Sequence, residues 1–172
     1  MSLLRLFGKS AANEAADRIL ASVMQAARDP ELFGDDGAPD TLDGRFEMAT
    51  AFAVLALLRL KASPEADRVS QAFTDRLFRH FDAGLREAGV GDLSVARRMK
   101  GLAGAFYGRL AAYQAAIGTE GALAEALGRN IWNTPDAAPA RALAQRLRAL
   151  HAAHAAAPPQ ALEEASRWAV LP

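Results

Sequence analysis

Residues 43–61 read DGRFEMATAFAVLALLRLK, and this stretch decides the fold. Between Phe46 and Leu60 the polar residues are Glu47, Thr50 and Arg59, and the large apolar side chains Phe46, Phe52, Val54, Leu55, Leu57, Leu58 and Leu60 fall on every side of a helical wheel. A helix without a broad wet face belongs at the centre of a bundle. The run is interrupted by charge and falls short of the ~20 apolar residues of a membrane span. The spacing therefore predicts a central helix over about 43–61, with the remaining elements wrapped around it.

Upstream, a first helix is expected over about 10–28, capped by Ser10 and ended before Pro30, with Ile19, Val23 and Ala26 or Ala27 on its inner face. A polar loop follows, broken by Pro30, Gly34, Gly37 and Pro39. Downstream, Ser63 and Pro64 are expected to open a third helix whose buried stripe is Val69, Phe73, Leu77, Phe81 and Leu85, with Asp75, Arg79, Asp82 and Arg86 on the wet side. Gly89 suits the left-handed residue that ends it, and Ser94 is expected to cap a fourth helix over about 95–117.

That fourth helix carries two stripes. Val95, Met99, Leu102, Phe106, Leu110 and Tyr113 are large, whereas Gly101, Gly104 or Ala105, Gly108 and Ala112 are small. Interior helical glycines cost up to ~1 kcal/mol each, which predicts that another backbone, that of the second helix, comes close to the small stripe. Thr119 begins a shorter fifth helix that ends near residues 132–135. Residues 136–172 are alanine-rich and divided by Pro158 and Pro159, the pattern of an appended C-terminal helical hairpin. The expected architecture is all-α, a single globular helical bundle over residues 1–135 with that hairpin at 136–172.

The 172 residues suffice for one hydrophobic core. Twenty basic and twenty acidic side chains cancel, so no global field draws the chain to nucleic acid or an anionic membrane, and no DNA partner is expected. Zero cysteines exclude disulfides, thiol catalysis and Cys-ligated metals. His151 and His154 share a helix face but lack further ligands, so a solvated face is expected there rather than a metal. His80 has no nucleophile in a recognisable elbow, and Gly89-Val90-Gly91 has no preceding strand to make it a dinucleotide loop. No enzyme, metal or cofactor is expected.

One charge pattern asks for a partner. Arg97, Arg98 and Lys100 crowd the opening turns of the fourth helix, where cations oppose the dipole by ~0.3 to 1 kcal/mol each. With Asp92 and Arg109 the segment nets +3, while Asp35, Asp36, Asp40, Asp43 and Glu47 against Arg45 net −4. The two stretches can answer each other within the fold, or the cations can face an anionic group of a partner.

Three separated words carry a family resemblance: Asp43-Gly44-Arg45-Phe46-Glu47-Met48, then Gly89-Val90-Gly91-Asp92-Leu93-Ser94-Val95, then Ala105-Phe106-Tyr107-Gly108-Arg109 with Tyr113. Their order and spacing resemble the ubiquinol–cytochrome c reductase (cytochrome bc1) assembly chaperone family over roughly residues 32–132. The resemblance implies an all-helical, non-catalytic protein that binds newly made cytochrome b or another subunit of that complex, with contact to a ribosome or an anionic membrane surface as a further implication. No organelle-targeting extension or integral membrane segment is read, which suggests a bacterial-type member in the cytoplasm, peripheral to the inner membrane where it works. The partner-binding residues expected on this basis are Asp43, Arg45, Phe46, Glu47, Asp92, Ser94, Arg97, Arg98, Lys100, Phe106, Tyr107 and Arg109. Such a factor needs apolar surface, and the second and fourth helices can leave a groove between them or close into core. The alternative function is a peripheral factor that holds lipid or quinone in a helical pocket. The apolar N-terminal residues Leu3, Leu4, Leu6 and Phe7 either dock on the body or lie in a membrane interface.

Overall fold

The computed structural model describes residues 3–63 and 66–169, with side chains from Ser10 onward, so the expectation for Leu3, Leu4, Leu6 and Phe7 lies outside the described side chains. Six α-helices follow one another: α1 (Leu3–Ala27), α2 (Leu42–Lys61), α3 (Asp67–Glu87), α4 (Asp92–Ala116), α5 (Glu120–Ile131) and α6 (Ala138–Ala155). Short 3-10 turns at Pro159–Glu163 and Ala165–Trp168 complete the chain's described end. No strand occurs among the described residues.

The central helix is where its apolarity places it. Thr41 caps α2 by accepting from the Gly44 N–H at 3.1 Å, and every residue from Glu47 to Leu57 is buried. α1, α3, α4, α5 and α6 all pack against it. Gly44 is required by close approach, since a Cβ there would lie 1.9 Å from the Pro39 carbonyl oxygen.

α1 begins at Leu3, seven residues before the expected cap, and Ser10 sits inside it with its hydroxyl donating to Glu14. A single Gly8 is a breaker too weak to stop a 25-residue helix. Ile19, Val23 and Ala27 are buried as predicted. α3 begins at Asp67, later than expected, because the Ser63 hydroxyl accepts from Arg59 Nη1 at 2.6 Å instead of capping α3; Pro64 lies outside the described residues. Phe73, Leu77, Phe81 and Leu85 are buried and Val69 packs against them. Gly89 adopts φ +79°, and the Gly89 and Val90 N–H groups donate back to Arg86 and Leu85, closing the helix as a Schellman-type turn.

α4 starts at Asp92 with Gly91 as the half-turn before it, so Ser94 is an exposed first-turn residue and not the cap. Its large stripe faces the core as predicted, with Val95, Phe106, Leu110 and Tyr113 buried. The small stripe overturns its expectation. Cβ atoms built on Gly101, Gly104 or Gly108 would meet nothing within 4 Å, and Gly104, Gly108 and Ala112 face solvent. α2 and α4 touch through the large residues instead.

The C-terminal segment turns back at Pro158 and Pro159, but its second arm is made of 3-10 turns rather than a second α-helix. Both arms join the core. Leu143, Ala144, Leu147 and Leu150 of α6 are buried, and Leu162 and Trp168 reach the space between α1, α2 and α6. Trp168, 1% exposed, donates to the Leu162 carbonyl and lies 6.3 Å from the Phe52 ring. His154 is not on a solvated face: it is 3% exposed, its ring centroid 4.3 Å from that of Trp168 with the two rings tilted by 49°, and its Nε2 is without a partner. Arg59 clamps this region to α2 by donating to the His154 and Ala157 carbonyls.

Candidate functional site

A cleft of about 1000 Å³ opens where the C-terminal ends of α1 and α3 meet the N-terminal halves of α2 and α4. The Thr41 cap and the Gly44 contact with Pro39 fix where α2 enters, while the Gly89 turn fixes where α4 starts beside α3. Met24, Phe46, Ala49, Phe81, Leu85 and Leu102 supply apolar walls. Arg28, Asp43, Arg45, Glu87 and Arg98 supply charge around them. Gly84 of α3 and Gly101 of α4 line it with no side chain, and nothing lies within 4 Å of either missing Cβ, so the two glycines widen the cleft. Of the two outcomes left for α2 and α4, a groove or a closed core, a cleft is found at their N-terminal halves, with α3 as its third wall.

Its floor holds a buried ion pair. Arg109 donates through Nε and Nη2 to both carboxylate oxygens of Glu47, a two-pronged match of guanidinium and carboxylate across 62 positions of sequence. The side chains are 18% and 9% exposed, so water screens the pair poorly. Burial pushes the Glu47 carboxyl above its ordinary pKa, and the Arg109 hydrogen bonds and charge pull against that rise. Arg109 also donates to the Ala105 carbonyl and lies 5.9 Å from the Phe46 ring centroid. One turn further along each helix, Thr50 and Tyr113 carry buried hydroxyls without partners, and burial, with Glu47 nearby, raises the Tyr113 pKa.

Aromatic rings continue the wall outward. Phe46 meets Phe81 edge-on at 4.9 Å, Phe78 meets Phe106 at 5.4 Å, and Tyr107 lies 5.9 Å from Phe78 and 5.5 Å from Phe106. Edge-to-face contacts of this kind add to the area they bury and hold the rings in fixed orientation. Phe106 is buried, whereas Tyr107 reaches the surface.

The predicted residues divide between this cleft and the outer face of α4. Asp43, Arg45, Phe46, Glu47, Arg98 and Arg109 line the cleft, and Phe106 and Tyr107 lie behind it. Arg45 is held by Asp40 at 2.7 Å and stands 5.4 Å over Phe33. Asp92, Ser94, Arg97 and Lys100 do not join the cleft. Asp92 pairs with Arg86, which also holds Asp82. The pairing expected between the acidic and basic stretches is realised at Glu47 and Arg109; Arg97, Arg98 and Lys100 have no ion-pair partner among the described residues.

Sequence reading missed His80, Arg28, Gly84, Asn130 and Asn133 as lining residues. His80 Nε2 lies 3.3 Å from Arg28 Nη2, and its pKa is lowered by burial and by that guanidinium. No local signal marks these positions, because α1, α3 and α5 bring them together only in the folded chain. Among the described residues no cluster of three or more metal-ligating side chains forms, and no helix is long and apolar enough to cross a membrane.

An all-helical body with an open apolar cleft over a buried ion pair describes a class of binding protein. Over residues 35–168 the sequence matches the family described as ubiquinol-cytochrome C chaperone, and the chain belongs to that family. The match runs past the 32–132 region of the three words and takes in α6 and the 3-10 turns. Among solved structures the chain is similar to the one titled "Crystal structure of the Cbp3 homolog from Brucella abortus", with 36% identity, a TM-score of 0.80, and coverage of 94% of this chain and 93% of that one. Among curated proteins none matches by sequence.

Proposed function

We propose that the cleft receives an apolar segment of a newly made subunit of the ubiquinol–cytochrome c reductase complex, cytochrome b being the expected client, and holds it without catalysis until assembly proceeds. The observation that carries this reading is that two of the three family words meet in the cleft, Phe46 and Glu47 of the first against Arg109 of the third. Apolar walls give an unfinished membrane helix a place out of water, and a charged rim keeps an open apolar surface from self-association. The Glu47–Arg109 pair holds α2 and α4 in register at the cleft floor, so the walls are preformed rather than assembled by the client.

The test uses the two bare helix positions. Gly84→Leu and Gly101→Leu place side chains in the cleft where nothing lies within 4 Å, so the fold should persist while the cleft fills. In a strain that depends on this protein, the double variant should express and melt like the parent yet fail to restore the assembled reductase, and a photo-crosslinker at position 101 should capture the client subunit. Full restoration by the double variant would remove the cleft from the mechanism. Normal reductase in a strain lacking the protein altogether would remove the assembly reading itself.

A further inference from the structure

Two of the three exposed large apolar side chains among the described residues stand on the outward face of α4. Leu93 is 98% exposed, as completely as a leucine can be, and Tyr107 is 53% exposed. Leu93, Arg97, Lys100, Gly104 and Tyr107 follow at steps of four, three, four and three, which places them on one stripe about 21 Å long. Arg98, about 140° round the helix from Leu93, points away from that stripe and lines the cleft. From Leu93 to the end of α4 at Ala116 there is no acidic residue, and the acid that precedes them, Asp92, is engaged by Arg86.

Arg97 and Lys100 are like charges three residues apart on the helix, which destabilises it, and neither has an ion-pair partner among the described residues. A water-exposed leucine one turn before them gains nothing from solvent. Both costs reverse at one kind of surface. Lipid headgroups with negative charge attract the cations, the acyl boundary just beneath takes the leucine, and the tyrosine ring suits the level between. We infer that the face of α4 bearing Leu93, Arg97, Lys100 and Tyr107 docks on an anionic phospholipid surface. Attachment is peripheral and reversible, for two protruding side chains insert too little apolar area to anchor the protein permanently.

Flotation of the full-length protein with vesicles of phosphatidylcholine, alone or mixed with phosphatidylglycerol, reads this directly. The wild type should float with the mixed vesicles and stay behind with the neutral ones, and added salt should release it. Each cation at an anionic surface multiplies partitioning roughly fivefold, so Arg97→Gln and Lys100→Gln together should weaken binding roughly 25-fold. Leu93→Ser should weaken it roughly tenfold by withdrawing the inserted side chain. All forms share the same N-terminal segment, so any difference belongs to α4, and matching thermal melts show that the fold is kept. Equal flotation on neutral vesicles, or undiminished flotation of either variant, overturns the inference. So does tight binding of an RNA homopolymer through the same cations in the absence of flotation.

Discussion

Acidification should loosen the C-terminal part of the molecule through His154. Its ring is buried against Trp168 with Nε2 unpartnered, and burial, helped by His151, Arg167 and Arg59, lowers its pKa from 6.5 to about 4. Folding therefore keeps His154 neutral where the unfolded chain would protonate it. The stabilisation is fully present above the unfolded value and is lost as pH falls from 6.5 toward about 4. At about 1.4 kcal/mol per pH unit the whole loss is roughly 3 kcal/mol, of which roughly 2 kcal/mol is spent by about pH 5. For a urea slope of about 2 kcal/mol per molar, that moves the unfolding midpoint down by roughly 1 M between about pH 7 and 5. The carboxyls of Asp17 and Asp29, whose pKa values are lowered by Arg76 and Arg146, destabilise only in stronger acid. Equilibrium unfolding followed by circular dichroism, run on the wild type and on His154→Leu, isolates the contribution. The variant should lose most of this pH dependence, and its Trp168 fluorescence should stop responding to mild acid. Identical slopes for the two proteins, or a His154 imidazole that titrates near 6.5 by NMR, would refute the reasoning.

Removing Arg109 alone, as Arg109→Leu, should lower stability by about 3 to 5 kcal/mol by stranding a buried carboxylate, and adding Glu47→Met should recover most of it; denaturation of the single and double variants gives both values. Gly104→Ala and Gly108→Ala should each raise stability by roughly 0.5 to 1 kcal/mol because their Cβ positions are open, whereas Gly44→Ala, aimed at the Pro39 carbonyl, should cost about 1 to 3 kcal/mol. Replacing Arg97 and Arg98 together by Glu should change stability by less than about 0.5 kcal/mol in a thermal melt, since both stand beyond the first turn of α4, where the dipole has faded, and neither has an ion-pair partner to lose among the described residues.

The legible part of the fold was the part written in large side chains. α2 announced its central place because the fifteen positions from Phe46 to Leu60 held no stable wet face, and the stripes of α3 and α4 named their buried sides correctly. Small residues read ambiguously. A glycine is compatible with a backbone pressed against it, as at Gly44, and with open space, as at Gly104, and the sequence looks the same in both cases. Caps failed for a related reason: the Ser10 and Ser63 hydroxyls serve Glu14 and Arg59, partners as available to them as a helix end. The site was half visible. Glu47 and Arg109 stood out as charges inside apolar words, but that they meet is a fact of tertiary structure, as is the arrival of His80 and Gly84 beside them. His154 was misplaced because alanine-rich segments give too weak a periodicity to show which side is covered.

The seat of Trp168 bears on when this protein becomes competent. The space it fills is bounded by α1 and α2, helices synthesised more than a hundred residues earlier, and Ser22 and Arg18 of α1 hold Glu163 just before it. Until the last turns emerge from the ribosome, the inner faces of the first two helices remain unsealed, and α2 is the helix from which one wall of the cleft is made. A nascent copy therefore exposes apolar surface that the finished fold covers. A copy lacking the segment that carries Leu162 and Trp168 would keep those inner faces open and would need a guardian of its own.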